Sequence, residues 1–253
     1  MNLKLLNDKK TSWVFRVIRW LVWLFSPKYQ LEGTENLPDE PCVIVGNHSH
    51  MYGPIMGELY TPVKHYVWCA GEMMKREEVT AYAYRDFWSG KPKWTHWFYR
   101  ILSYLITPLS VLIFNNADTI PVYHDARLKD TFRQSVNALE KGISLVIFPE
   151  KNEKYNHIVY EFQEGFVDVA RLYHRKTGKE PVFVPVYLAP RLKKLVFGRP
   201  IRYDSSAPSK AERDRISDYI KEEITRTAEA LPRHMVVPYR NIPKREYPWN
   251  REA

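Results

Sequence analysis

Residues 42–54 read CVIVGNHSHMYGP. The first five are an uninterrupted apolar run of strand length, which is how a strand buried on both faces reads. Polarity then changes at once, through Asn47-His48-Ser49-His50-Met51-Tyr52-Gly53. Pro54 opens a helical pattern at a position where its missing N–H is harmless. Strand, polar loop and helix in that order predict a βα unit, and the chain repeats the pattern. Residues 143–148 (ISLVIF) run into Pro149-Glu150-Lys151, and residues 182–188 (VFVPVYL) make a third apolar run. Residues 65–69 and 119–123 are further strand candidates, with 195–197 and 201–203 as short strands at a sheet edge. Between them, Leu128, Phe132, Val136 and Leu139 form a helical stripe that stops at Gly142, a natural C-cap. Phe162, Phe166, Ala170 and Tyr173 form another, and Ser209 with Glu212 has capping-box spacing before Ile216, Ile220, Ile224 and Leu231. Strands alternating with helices predict an α/β fold, with a mixed, largely parallel sheet flanked by helices.

Ahead of this domain the chain has a different character. Residues 1–30 carry six basic side chains (Lys4, Lys9, Lys10, Arg16, Arg19, Lys28) against one acid, Asp8, whereas residues 31–60 carry five acids and no Lys or Arg. Trp13–Phe25, WVFRVIRWLVWLF, gathers Val14, Val17, Ile18, Leu21, Leu24 and Phe25 on one helical face and Arg16, Arg19 and Trp23 on the other. Such a helix is about 20 Å long, too short for a ~30 Å hydrocarbon core. No small-residue cleavage site follows it. Its length, arginines and tryptophans together predict an interfacial helix lying in the plane of an anionic leaflet. Residues 94–114, WTHWFYRILSYLITPLSVLIF, are long enough to span, but His96, Arg100 and Pro108 interrupt them. A half-buried helical hairpin near the membrane is expected there, because proline removes a helical hydrogen bond and clashes with the preceding turn. The organisation that results has three parts. Residues 1–30 are a basic amphipathic membrane-contacting segment. Residues 31–231 are an α/β domain with an aromatic helical insertion over about 70–115. Residues 232–253 are a proline-rich basic tail, predicted to strap over the domain.

Composition excludes several classes. With 45% hydrophobic and 26% charged residues, the chain of 253 is neither disordered nor fibrous. Cys42 and Cys69 are too few for a disulfide framework, and no Cys/His cluster has zinc-finger spacing, so a reducing, intracellular compartment is expected. A formal charge of +9 with 14% aromatic residues suits anionic partners and bilayer interfaces. Nucleic acid is not expected, because the positive runs sit among apolar residues rather than lining a polar groove.

Chemistry in α/β sheets gathers just beyond strand carboxyl ends. Three loops qualify: Asn47 to Gly53, Tyr123-His124-Asp125-Ala126-Arg127, and Pro149-Glu150-Lys151. A histidine there can act as general base, since imidazole titrates near neutrality. Glu150, Lys151, His124 and Arg127 would offer polar and cationic contacts to a substrate. His48 and His50, with His65, His124 or a carboxylate, would alternatively suit a metallohydrolase, although two histidines make a thin ligand set.

These blocks resemble the glycerophospholipid acyltransferases of the 1-acylglycerol-3-phosphate acyltransferase type. Asn47-His48 matches the first block, N-H-x-x-x-x-D, and Thr119-Ile120-Pro121-Val122 the strand of the second. Phe148-Pro149-Glu150 matches the third, F-P-E-G, and Val184-Pro185-Val186 the fourth. The resemblance runs in order from about Glu32 to Ile201. It implies acyl transfer from a thioester donor (acyl-CoA or acyl carrier protein) to the hydroxyl of a lysophospholipid or glycerol-phosphate-like acceptor. His48 would be the catalytic general base, and Asn47, His124, Arg127, Phe148, Pro149, Glu150 and Lys151 would bind substrate. No metal or further cofactor is implied. The expected location is the cytoplasmic face of a membrane, peripheral or monotopic.

Three departures bear on activity. Gly53 stands where the family has its aspartate, His124 where the second block ends in arginine, and Lys151 where the third has glycine. In serine proteases an orienting carboxylate is worth about 10⁴ in rate. Gly53 therefore requires a substitute, from Glu58, Glu72, Asp125 or Glu150, or another orienter of the ring such as His50 or Tyr52. Failing that, the chain would be a catalytically impaired lipid-binding relative.

Overall fold

The computed structural model describes residues 11–49, 52–151, 158–159 and 161–236. The chain divides into two compact units, Met1–Ser26 with Trp68–Thr131, and Pro27–Val67 with Phe132–Ala253.

The second unit holds the sheet. Its strands are β1 (Gln30–Glu32), β2 (Val43–Gly46), β3 (His65–Ala70, which runs on into the first unit), β5 (Ser144–Ile147), β6 (Val182–Ala189), β7 (Lys194–Phe197) and β8 (Ile201–Arg202). They lie in the order β1-β7-β6-β2-β5-β3, with β8 also against β6. β2 is parallel to both β5 and β6, with Val43↔Leu145 and Val43↔Phe183 in register, and β3 is parallel to β5. β7 and β8 run antiparallel to β6. The sheet is thus mixed and mostly parallel. Every residue of β2, β5 and β6 is buried, so both faces are covered and the strands read as continuous apolar runs. Helix α2 (Tyr52–Tyr60) packs Met56 and Tyr60 on the face presented by Ile44, Val146, Val184 and Val186. Helices α5 (Leu128–Glu140), α6 (Asp168–Thr177) and α7 (Ser209–Ala230) complete the α/β architecture.

Ser209 is the first residue of α7 rather than its cap, since Pro208 holds the cap position. Glu212 has turned inward, fully buried, to accept the Asp204 N–H at 2.7 Å and two bonds from Arg215. It ties the preceding loop to the helix instead of closing a capping box.

The first unit contains α1 (Trp13–Phe25), α3 (Arg76–Ala83), α4 (His96–Asn116) and β4 (Thr119–Val122), the strand next to β3. The expected hairpin over residues 94–114 is one continuous helix with Pro108 inside it. Hydroxyls hold it in place. Thr107 bonds the Ser103 carbonyl at 2.8 Å and the Thr80 hydroxyl at 3.0 Å, and Ser110 donates to the Met73 carbonyl at 3.0 Å. These tertiary bonds offset the bond that proline removes. The side of α4 packed on protein therefore carries Ser103, Thr107 and Ser110, while Trp97, Phe98, Ile101, Tyr104, Leu105 and Leu109 are exposed. On α1 only Phe15 is buried, and Trp13, Val17, Trp20, Leu21, Leu24 and Phe25 are exposed. One helical stretch, Lys93–Asn116, is long and apolar enough to cross a membrane, with a mean hydropathy of 1.5.

Candidate active site

The site is built where β2 and β5 end side by side. β2 stops pairing with β6 at Gly46↔Val186, and the Asn47 side chain continues the ladder. Its Oδ1 accepts the Leu188 N–H at 2.7 Å, and its Nδ2 donates to the Leu188 carbonyl at 3.1 Å and to the Ser49 hydroxyl at 2.7 Å. Asn47 is 3% exposed, so an amide side chain substitutes for a strand residue and carries the chain rigidly to His48. The His48 N–H donates to Oε2 of Glu150 at 2.5 Å. Glu150 is itself buried, and this bond joins the loop after β2 to the loop after β5. A carboxylate accepting an amide proton in a dry environment makes a strong, charge-assisted bond.

The His48 ring meets Phe148 edge to face, with centroids 6.0 Å apart. Phe148 fits because two glycines make room. A β-carbon on Gly57 would lie 3.0 Å from the ring, and one on Gly46 would lie 3.1 Å from it and 2.8 Å from Val186. Beyond His48 the backbone turns sharply, with Ser49 at φ 44°, a left-handed conformation that an L side chain adopts at a cost. The turn lets the Ser49 carbonyl accept the Tyr52 N–H at 3.2 Å and the His48 carbonyl accept the Gly53 N–H at 3.0 Å. At Gly53 a β-carbon would fall 2.4 Å from the His48 carbonyl oxygen and 3.0 Å from that of Asn47. The space from which the family's aspartate side chain would emerge is occupied by backbone.

Pro149, Glu150 and Lys151 are clamped from the other side. Gln163 N–H donates to the Pro149 carbonyl at 2.7 Å, Glu150 bridges to Phe162, and Lys151 N–H donates to the Glu161 carbonyl at 2.8 Å. The Lys151 ammonium sits 2.5 Å from Oε2 of Glu161 and holds that carboxyl below its ordinary range. Asn47, His48, Phe148, Pro149, Glu150 and Lys151 are thus gathered at one end of the sheet.

His124 and Arg127 belong to the first unit. His124 is exposed. The Arg127 guanidinium is held by Asp125 and, at 2.7 Å, by Glu78, and it stacks 3.8 Å from the centre of the Tyr123 ring. Bonding to Arg127 lowers Asp125 to about 2 and raises the arginine in return. Tyr52, a candidate orienter of His48, is half exposed at the start of α2, and His50 lies outside the described residues. Among the described residues, no group of three or more His, Cys, Asp or Glu side chains is arranged to hold a metal ion.

Two contributors escaped the sequence reading. Ser49 is a positive-φ residue that nothing in its identity announces. Tyr187 carries a hydroxyl in a fully buried strand, and that was the available signal, because a buried phenol needs a partner.

A histidine and a glutamate brought together at the carboxyl ends of parallel strands define a class. The Acyltransferase family model matches residues 28–189, well over half of the chain, and the chain belongs to that family. Among solved structures, the chain is similar to the 1-acyl-sn-glycerophosphate (LPA) acyltransferase PlsC from Thermotoga maritima. The TM-score is 0.51 at 16% identity, over 87% of this chain and 81% of that one, a likeness of fold. No curated protein matches the chain.

Proposed function

We propose that this acyltransferase moves a fatty acyl group from a thioester, acyl-CoA or acyl carrier protein, to the hydroxyl of a lysophosphatidate-type acceptor, with His48 as general base. The supporting observation is the Glu150–His48 bond, which brings two separately recognised sequence blocks into one site. The solved structure of similar fold is named for action on 1-acyl-sn-glycerophosphate.

In this reading the imidazole takes the acceptor's hydroxyl proton as its oxygen attacks the thioester carbonyl. The tetrahedral intermediate expels the thiolate, and the imidazolium returns the proton to sulfur. The donor carries its own activation, so the step draws on no further cofactor. Glu150 and Asn47 hold the His48 backbone, and Phe148 confines its ring. Lys151, beside Glu150, would draw the acceptor phosphate in competition with Glu161, and Arg127 with His124 would do so in competition with Asp125 and Glu78.

The reaction takes place at a membrane surface, on the cytoplasmic side and anionic in character. In support, α4 hides hydroxyls and shows aromatics to its surroundings, the reverse of a water-soluble helix. With acyl-CoA and 1-acylglycerol-3-phosphate in detergent, the protein should release free thiol, and His48→Ala should slow the release by about 10³-fold. Full activity in His48→Ala would remove His48 from the mechanism. The second reading, a lipid-binding relative impaired in catalysis, is favoured by Gly53 and predicts no thiol release from the wild type.

A further inference from the structure

The tail after α7 returns to the sheet. His234 is 4% exposed, and its Nε2 lies 2.7 Å from the hydroxyl of Tyr187, which is 1% exposed. Its Nδ1 lies 2.8 Å from the Pro232 carbonyl. A carbonyl oxygen only accepts, so Nδ1 carries a proton, and in the neutral ring Nε2 offers the lone pair to which Tyr187 donates. Tyr187 is therefore held with its proton turned toward the tail.

Tyr187 sits in β6 between Val186 and Leu188. Val186 faces α2, and successive strand residues alternate, so Tyr187 points to the opposite face of the sheet. Its chain neighbour Leu188 gives both backbone groups to Asn47, the residue before His48. Burial pushes the Tyr187 phenol well above its ordinary range, and the charge of Glu150 pushes it further, which puts the carboxylate within electrostatic reach of the hydroxyl. The same carboxylate accepts the His48 N–H.

We propose that His234 is a positioning residue of the active site: by keeping the Tyr187 proton directed at itself, it leaves Glu150 as the undivided acceptor of the His48 amide. Without that acceptor, the Tyr187 hydroxyl dipole reorients toward the negative charge of Glu150, competes for it, and loosens His48. The kinetic part of this inference rests on the acyl-transfer reading, whereas the structural part does not.

The test uses full-length protein labelled with [15N]histidine, whose eight histidines give few amide signals. The His48 signal is assigned by its loss in His48→Ala. His234→Phe keeps the ring's bulk and removes the acceptor, and His234→Gln restores an acceptor oxygen. Tyr187→Phe removes only the hydroxyl. His234→Phe should move the His48 amide signal and lower kcat about tenfold with KM little changed, the scale of one lost hydrogen bond. His234→Gln should return both toward wild type. Tyr187→Phe should also move the signal, and adding His234→Phe to it should change nothing more, since both act through one bond. A His48 signal at its wild-type position in both His234→Phe and Tyr187→Phe overturns the inference, as does failure of glutamine to rescue. Should the wild type release no thiol while the signals move as described, the acyl-transfer reading falls and the positioning contact stands.

Discussion

At position 53 the question is whether a missing acid is a loss or a rearrangement. From sequence Gly53 reads as an amputated aspartate, and replacing the acid would be the obvious repair. The geometry argues the reverse. A side chain at 53 must start 2.4 Å from the His48 carbonyl oxygen, a contact that only a backbone shift relieves. That shift would open the turn whose strained residue is Ser49 and move His48 relative to Glu150. Displacements of about 1 Å in a catalytic group cost on the order of 10² in rate. Gly53→Asp is therefore expected to lower thiol release by at least about tenfold, and Gly53→Ala to do nearly the same, because the fault lies in the β-carbon and not in the charge. A rise in rate for Gly53→Asp would show that the wild-type loop does lack an acid. Asn47 gives a companion case. Asn47→Ala leaves the Leu188 N–H and carbonyl without the partner they have, and a buried backbone group without one costs about 1–3 kcal/mol. Urea unfolding should show a loss of about 2 kcal/mol or more, with activity falling alongside.

At the level of elements, α4 carries its small polar side chains inward and its large apolar ones outward. Ile101 and Leu105 touch little protein, so Ile101→Glu with Leu105→Glu should leave thermal unfolding in detergent unchanged. Co-sedimentation with lipid vesicles should fall by about 100-fold or more, since each apolar side chain withdrawn from lipid forfeits roughly 1.5–3 kcal/mol. Unchanged vesicle binding would assign this face to something other than lipid. In the loop after β4, bonding to Arg127 lowers Asp125 from an ordinary 3.8 to about 2. A carboxyl lowered on folding stabilises the fold above its unfolded value and loses that contribution as pH falls through its folded one. The melting-temperature deficit of Asp125→Asn should thus be present at pH 7 and shrink between about pH 4 and pH 2, and a deficit that persists unchanged at pH 2 would contradict the pairing.

These elements also mark what could be read in advance. The sheet was legible because strands buried on both faces leave continuous apolar runs, and the Asn47-His48 and Glu150 loops were legible because polarity breaks abruptly after them. The hairpin expected at Pro108 failed because the hydroxyls of Thr80, Thr107 and Ser110 anchor an unbroken helix from outside its own sequence. Asn47 gave no sign that it would extend a ladder, since that depends on where β6 lies. The contact of His234 with Tyr187 spans 47 residues, a distance over which local pattern carries no information.

For the molecule as a whole, the relevant quantities are a formal charge of +9 and the exposed aromatic helices of the first unit. They act over different ranges, and salt separates them. Charge attracts the protein to an anionic surface across a Debye length of about 10 Å at 0.1 M salt, shrinking to about 3 Å at 1 M, whereas apolar burial is not screened. If membrane contact combines the two, binding to vesicles containing an anionic phospholipid should exceed binding to zwitterionic vesicles by at least about tenfold in dilute buffer. The difference should vanish near 1 M salt, leaving a common residual affinity in both lipids. That residue should disappear in the Ile101→Glu, Leu105→Glu variant while part of the anionic preference at low salt survives. Binding abolished by salt alone would make the contact purely electrostatic and leave the apolar faces of α1 and α4 unexplained. Binding indifferent to lipid charge at low salt would remove the net charge from the account of how this acyltransferase meets its membrane.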